Sequence, residues 1–162
     1  MYDNRIYTYV TNRQGNIDYD LTDNAPLCNR FSTKVTNVRT IPAGVSYIDL
    51  STAKKIEGYI DYIIDQESKD RCIVAVLPAR TNTAYFKKVF TKAKRITFIS
   101  GKYWIDADTL SNKSVVLVEF NGVIKGMPSV FYLDLDQYFF KHSSMCRVST
   151  LKRIQAMNTS YF

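Results

Sequence analysis

Cys72-Ile-Val-Ala-Val-Leu77 is an unbroken apolar run that halts at Pro78 and passes through Ala79-Arg80-Thr81-Asn82 to Thr83. Six apolar residues in succession leave no polar face, so a strand made from them must be covered on both sides, as strands of parallel sheets are. Pro78 lacks the N–H that a continuing ladder needs, and the Thr-Asn-Thr stretch suits a helix start. In open α/β sheets, ligands gather where such strands end.

The flanking segments extend this pattern. Val45-Ser-Tyr-Ile-Asp49 predicts a short strand ending in an acid. Ser51 or Thr52 then stands as the cap of a helix in which Ile56, Tyr59, Ile60, Ile63 and Ile64 recur at three- and four-residue spacing. Beyond Pro78 the spacing predicts a helix over 83–93 and a strand over 95–99. Strand, helix, strand, helix, strand in this order predicts a parallel sheet covered by helices. Upstream, Arg5-Ile-Tyr-Thr-Tyr-Val10 predicts a strand and Asn12 to Gly15 a turn, while residues 16–44 are rich in Asn, Asp, Thr and Pro and show little periodicity. Past Gly101, residues 103–105, 115–120 and 130–134 predict strands joined by turns such as Asn121-Gly122, added antiparallel at one edge of the sheet. A short helix near 136–140 and a longer one carrying Val148, Leu151, Ile154 and Met157 complete the pattern. The expectation is a single α/β domain over 1–162, with a parallel centre and antiparallel edge strands.

Charge is distributed unevenly. Residues 1–80 hold ten basic and ten acidic side chains and residues 81–162 hold twelve and five, so the net charge of +7 comes from the second half. The run from Arg71 to Ile105 has no acid and eight cations: Arg71, Arg80, Lys87, Lys88, Lys92, Lys94, Arg95 and Lys102. Interleaved with Tyr, Phe and Trp, such a run points to a polyanion, with nucleic acid ahead of a membrane surface. A solvated basic face is the plain alternative. No apolar stretch nears the roughly 20 residues of a membrane span, and the first residues carry no apolar signal core, so a cytosolic protein is expected. Cys28, Cys72 and Cys146 stand far apart in no metal-ligand spacing, so neither a disulfide framework nor a metal site is expected. His142, the single histidine, neighbours Ser143 and Ser144 and reads as solvated rather than catalytic.

Several short pieces then line up with a known family. Asp18-Tyr-Asp20-Leu-Thr, followed by Asn24-Ala25, Cys28, Arg30-Phe31 and Thr33, resembles the opening of the phage-type DNA adenine N6-methyltransferases, the Dam-like phage family. Val76-Leu-Pro-Ala-Arg-Thr81 with Tyr85-Phe86 is similar to that family's L-P-A-R-T-D-T stretch and its downstream aromatic. Ile99-Ser-Gly101-Lys-Tyr, with Ser114-Val-Val-Leu-Val-Glu-Phe120 behind it, is similar to its F-x-x-G-R segment and closing hydrophobic strand. The likeness runs in the family's order over about residues 17–120. It implies a Rossmann-like methyltransferase fold, S-adenosylmethionine as cofactor, DNA as partner, and the cytoplasm of a phage-infected bacterium as the setting. Carried over residue by residue, the resemblance makes Asp49 the catalytic acceptor for the adenine amino group. It sends Asp18 or Asp20 to the cofactor and Arg80 to the phosphate backbone, where the cationic run itself adds Lys87, Lys88 and Lys102 as candidate phosphate contacts.

One motif departs from the family. Asn-Pro-Pro-Tyr is replaced here by Asp49-Leu-Ser-Thr52, and Tyr59 stands where the family has a helix Trp. Flipping a base out of a duplex costs a few kcal/mol, which stacking and edge hydrogen bonds must offset. A missing stacking ring is worth about 1–3 kcal/mol, and a missing preorganised acceptor about 2.7–4 kcal/mol. Two readings follow. Either Tyr47 or Trp104 fills the aromatic slot and the chain methylates, or the chain is a silent descendant kept as a nucleic-acid-binding or protein-interaction module, such as an inhibitor of host defence or a structural component. Phe120-Asn-Gly122 is the one F-x-G that follows a strand, but its second glycine, Gly126, comes too late for F-x-G-x-G, and a β-turn between two strands accounts for it better than a cofactor loop does.

Overall fold

The computed structural model describes residues 5–21, 41, 43–100, 110–111, 113–122 and 126–140. In chain order the elements are α1 (Arg5–Gln14), β1 (Tyr19–Asp20), β2 (Gly44–Asp49), α2 (Ile56–Gln66), β3 (Arg71–Pro78), α3 (Ala84–Lys92), β4 (Arg95–Ser100), β5 (Val115–Phe120) and β6 (Ser129–Asp134), with residues 135–140 helical. Six strands form one mixed sheet in the order β1-β2-β3-β5-β4-β6. β1, β2 and β3 run parallel, β5 is antiparallel to both β3 and β4, and β6 is parallel to β4. No described helix is long and apolar enough to cross a membrane.

The apolar run that opened the sequence reading forms the middle of this sheet. Ile73, Val74, Ala75, Val76 and Leu77 are all fully buried. Ile73, Ala75 and Leu77 point to one face, where α2 and α3 pack through Ile56, Ile60, Ile63, Tyr85, Phe86 and Val89. Val74 and Val76 point to the other, where α1 packs through Ile6 and Val10. Each such branched side chain contributes about 1.5–3 kcal/mol by leaving water.

Several expectations are corrected. Residues 5–10 are not a strand but the first turns of α1. Ile6 and Val10, four residues apart, are both buried, and covering the second face of β3 and β5 needs a helix stripe more than it needs another ladder. The expected turn at 12–15 is the end of that helix, which Gly15 stops at φ +85°. Neither Ser51 nor Thr52 caps α2. The helix begins at Ile56 after Lys55, which makes no side-chain cap bond.

The sheet departs from expectation as well. The antiparallel strand is interior, not an edge addition: β5 is buried at all six positions and fills the gap between β3 and β4. A strand apolar on both faces belongs where both faces are covered. The true edges are β1 and β6, each parallel to its neighbour. Asn121-Gly122 therefore does not join neighbouring strands. Gly122, at φ +63°, lies against the α2–β3 connection, where an added Cβ would come within 2.9 Å of the Lys69 amide nitrogen. Its N–H donates to Glu67 Oε2 at 2.9 Å.

α1 is fastened at both ends. Arg5 pairs with Asp136 at 2.8 Å. At the other end Arg13, Gln14 and Arg95 converge on the buried carboxylate of Glu119, Arg13 Nε at 3.2 Å and Arg95 Nε at 3.4 Å, while Gln14 donates to Oε1. Residues 103–105 and the helix expected around 148–157 lie outside the described residues, as does His142.

Candidate functional site

Parallel pairing brings the carboxyl ends of β1, β2 and β3 to one rim. Asp49 is opposite Val76, and the Leu50 amide donates to the Val76 carbonyl at 2.8 Å, so the tip bearing Asp49 is the immediate neighbour of the tip bearing Pro78. Because β5 is antiparallel, its starting end is also at this rim, with Val115 opposite Pro78 and the Ala79 amide donating to Ser114.

The chemistry at this rim centres on Asp49, Asp20 and Tyr47. Asp49 Oδ1 accepts the Ser51 N–H at 2.9 Å, an Asx turn that fixes the chain just past the strand. Leu50 turns into the core at 3% exposure. Tyr47 is opposite Asp20 in the β1–β2 ladder. Its ring is sealed at 5% exposure and meets the Tyr7 ring in a T-shaped contact at a centroid distance of 5.0 Å. Burial, and after it the negative charges of Asp49 and Asp20, push the Tyr47 phenol far above its ordinary range. Tyr47 is therefore a neutral, buried hydroxyl flanked by two carboxylates. It has no free π-face on which a base could stack, which removes it as the substitute aromatic. Trp104 lies outside the described residues.

Asp18 and Asp20, paired in the sequence reading, part company. Asp18 accepts the Val45 N–H at 2.8 Å, and its own amide donates to the Val45 carbonyl. The missing side chain of Gly44, at φ +114°, leaves the space that the Asp18 carboxylate fills. Asp18 is thus a clasp between β1 and the start of β2. At about 3.3 Å per residue it is some 13 Å down the strand from Asp49. Asp20 alone reaches the rim.

The predicted phosphate contacts divide as well. Arg80 is exposed beside Pro78, and Lys87 is exposed on α3. Lys88 is turned to α2, where its ammonium meets Glu57 at 3.0 Å and Asp61 at 2.8 Å. Lys102 lies outside the described residues. Lys113 was not singled out from sequence, yet it is exposed at the rim close to Pro78 and Arg80. Its location depends on the antiparallel course of β5, which no local signal encodes.

A cofactor of the S-adenosylmethionine type needs an acid for its ribose hydroxyls and a glycine turn where backbone meets the ligand. Asp20 meets the first need. The second is unmet among the described residues: Gly15 ends α1, Gly44 starts β2, Gly58 is within α2, Gly122 packs on Ser68 and Lys69, and Gly126 precedes β6. β2 and β3 also both hand over to helices on the same face. Their connections do not diverge, and diverging connections are what open a crevice between neighbouring strands. No protein-family model matches the chain, and no curated protein is significantly similar to it.

Proposed function

We propose that the chain is a catalytically silent nucleic-acid-binding protein of methyltransferase ancestry, acting in the cytoplasm of a phage-infected bacterium. One observation carries the silent part. Where a base would be received, Asp49 Oδ1 is engaged by its own turn, Leu50 is in the core and the Tyr47 ring is sealed. A sealed ring and a carboxylate already tied to its own turn offer little toward the few kcal/mol of base extrusion. The binding part rests on exposed Arg80, Lys113 and Lys87, which run from the rim onto α3. Phosphate contacts need only accessible positive charge, and they position a duplex without reading it.

A second reading is favoured by the convergence of Asp20 and Asp49 around Tyr47. In a DNA adenine N6-methyltransferase, Asp49 would accept from the adenine amino group and Asp20 would hold the cofactor ribose. Purified protein incubated with tritiated S-adenosylmethionine and unmethylated DNA separates the two. Absence of label transfer at stoichiometric protein, together with salt-dependent DNA binding, is the expected result. Label transfer establishes the methyltransferase, and absence of DNA binding at low salt overturns the proposal.

A further inference from the structure

β6 is an edge strand with little of the usual protection: Pro128 precedes it, Asp134 ends it and the Arg95 guanidinium covers one face of the Phe131 ring at 3.5 Å, but the five residues from Ser129 to Leu133 supply none of their own. Natural edges carry charges, proline or bulges that discourage pairing. Ser129-Val-Phe-Tyr-Leu133 has no charged residue and no proline, and its apolar side chains are exposed on both faces: Val130 at 53% and Tyr132 at 73% on one, Phe131 at 43% on the other. Met127, just ahead, is exposed at 81%. Among the described residues no strand pairs with the outer side of β6.

The backbone orientation is fixed by the inner ladder. The Ser129 N–H donates inward to the Lys94 carbonyl at 3.1 Å. By alternation the amides and carbonyls of Phe131 and Leu133 also point inward, and those of Val130 and Tyr132 point out. A strand arriving from outside therefore finds its hydrogen-bonding groups at Val130 and Tyr132.

We propose that this strand pairs with β6 of a second copy of the chain, antiparallel across a twofold axis that passes through Phe131. A twofold axis normal to a sheet keeps each face on its own side, so opposed residues must be both odd or both even in number. Centring on Phe131 puts Val130 opposite the second copy's Tyr132, as a pair exchanging both hydrogen bonds, and Phe131 opposite its own mate as a non-hydrogen-bonded pair. Both are the aromatic and aromatic–branched pairings that stabilise sheets. The same register sets Asp134 of one copy beside Pro128 of the other. Lys94, exposed and one residue before β4, is next in line beyond Pro128, because the ladder pairs Arg95 with Ser129. Alternation places Lys94 and Asp134 on the same face, about 10 Å apart across two strand spacings, a span two extended side chains can close. The pair occurs twice by symmetry. Centring on Tyr132 instead would press Asp134 against the apolar Val130.

The contact is smaller than the about 800 Å² per partner of a standard interface, so the dimer is weak. Two copies of net charge +7 also repel, and about 0.3 M salt shortens that repulsion below 10 Å. The full chain under those conditions should show a concentration-dependent rise in sedimentation coefficient, and Val130→Lys/Tyr132→Lys should abolish it without lowering Tm, since both side chains are exposed. The register has its own test. Cα atoms of a non-hydrogen-bonded pair are about 4.5 Å apart, within the about 4.4–6.8 Å span of a disulfide. Phe131→Cys should therefore form a 131–131 intermolecular disulfide under mild oxidation, mapped by mass spectrometry, at least tenfold faster than Val130→Cys or Met127→Cys forms its own. A chain that stays monomeric to millimolar concentration overturns the proposal. So do equal rates for the three cysteine variants, which would report random collision, and capture of β6 by another segment of the same chain.

Discussion

Arg13 of α1 reaches across 106 residues of sequence to Glu119 of β5, Nε to Oε2 at 3.2 Å. Glu119 is 6% exposed and holds Arg95 and Gln14 as well, so it is the common acceptor that docks the end of α1 onto the sheet. Removing the acceptor leaves Arg95, itself only 16% exposed, with no carboxylate and only Thr97 Oγ1 and the Phe131 ring beside it, whereas removing Arg13 leaves the carboxylate two donors. Glu119→Ala should lose about 3 kcal/mol or more, as breaking a buried pair does. Arg13→Ala should lose about 1.5–3 kcal/mol, the worth of a hydrogen bond to a charged group, and nearer the lower figure because Arg13 is part exposed. Urea midpoints of the two variants give the order, and a larger loss for Arg13→Ala would contradict it.

Glu67 supplies a pH signature. Burial raises its carboxyl above the ordinary value of 4.5, against the opposing pull of the Gly122 N–H and of Lys92. A group whose folded value is raised binds its proton more tightly when folded. Its contribution to stability is present below the unfolded value and fades as pH rises through the folded one. Glu67→Gln keeps an acceptor for Gly122 and removes the charge. The variant should match the parent near pH 4 and be at least as stable at pH 7, as read by Tm at the two values. A variant that loses stability relative to the parent on going from pH 4 to pH 7 would reverse the sign.

Gly122→Ala should be costly for two reasons that reinforce each other. At φ +63° an alanine pays for a left-handed backbone, and its Cβ would meet backbone atoms of Ser68 and Lys69 at 2.9 Å, which cannot swing aside. A loss of more than about 1 kcal/mol is expected. Gly126→Ala, also at positive φ but with open space around it, should cost only the backbone share. Thermal unfolding of both variants separates the two contributions.

Lys87 and Lys88 are adjacent in sequence but should behave differently. Lys87→Glu should weaken DNA binding and flatten the log–log salt slope by about 0.9 per lost phosphate contact, with Tm unchanged. Lys88→Glu places a third carboxylate beside Glu57 and Asp61 and should lower Tm first. Equal effects of the two changes on Tm and on the salt slope would count against this division.

The elements with an unambiguous period were legible in sequence. The isoleucine spacing of α2 fits only a helix, the apolar run of β3 is too short for a buried helix before Pro78 stops it, and both elements formed within a few residues of expectation. Arg5 to Val10 satisfied two templates at once. Its alternating Tyr and Thr suit a strand, while Ile6 and Val10 suit a helix, and the choice was made by an uncovered sheet face that lies elsewhere in the chain. The position of β5 was out of reach for a related reason: an apolar strand announces burial but not its neighbours. At the rim, the location of Asp49 beside Pro78 followed from parallel pairing. The division of Asp18 from Asp20 did not, because it turns on a two-residue offset and on the space left by Gly44.

The interior position of β5 bears on how the chain can be made. β3 and β4 are joined by a single helix yet never touch as ladder partners, and the slot between them stays open until residues 115–120 are synthesised. A nascent chain released from the ribosome before that point would present two apolar strand borders at once. This protein should accordingly fold late in translation, with truncations ending before Val115 retained by chaperones or lost to aggregation.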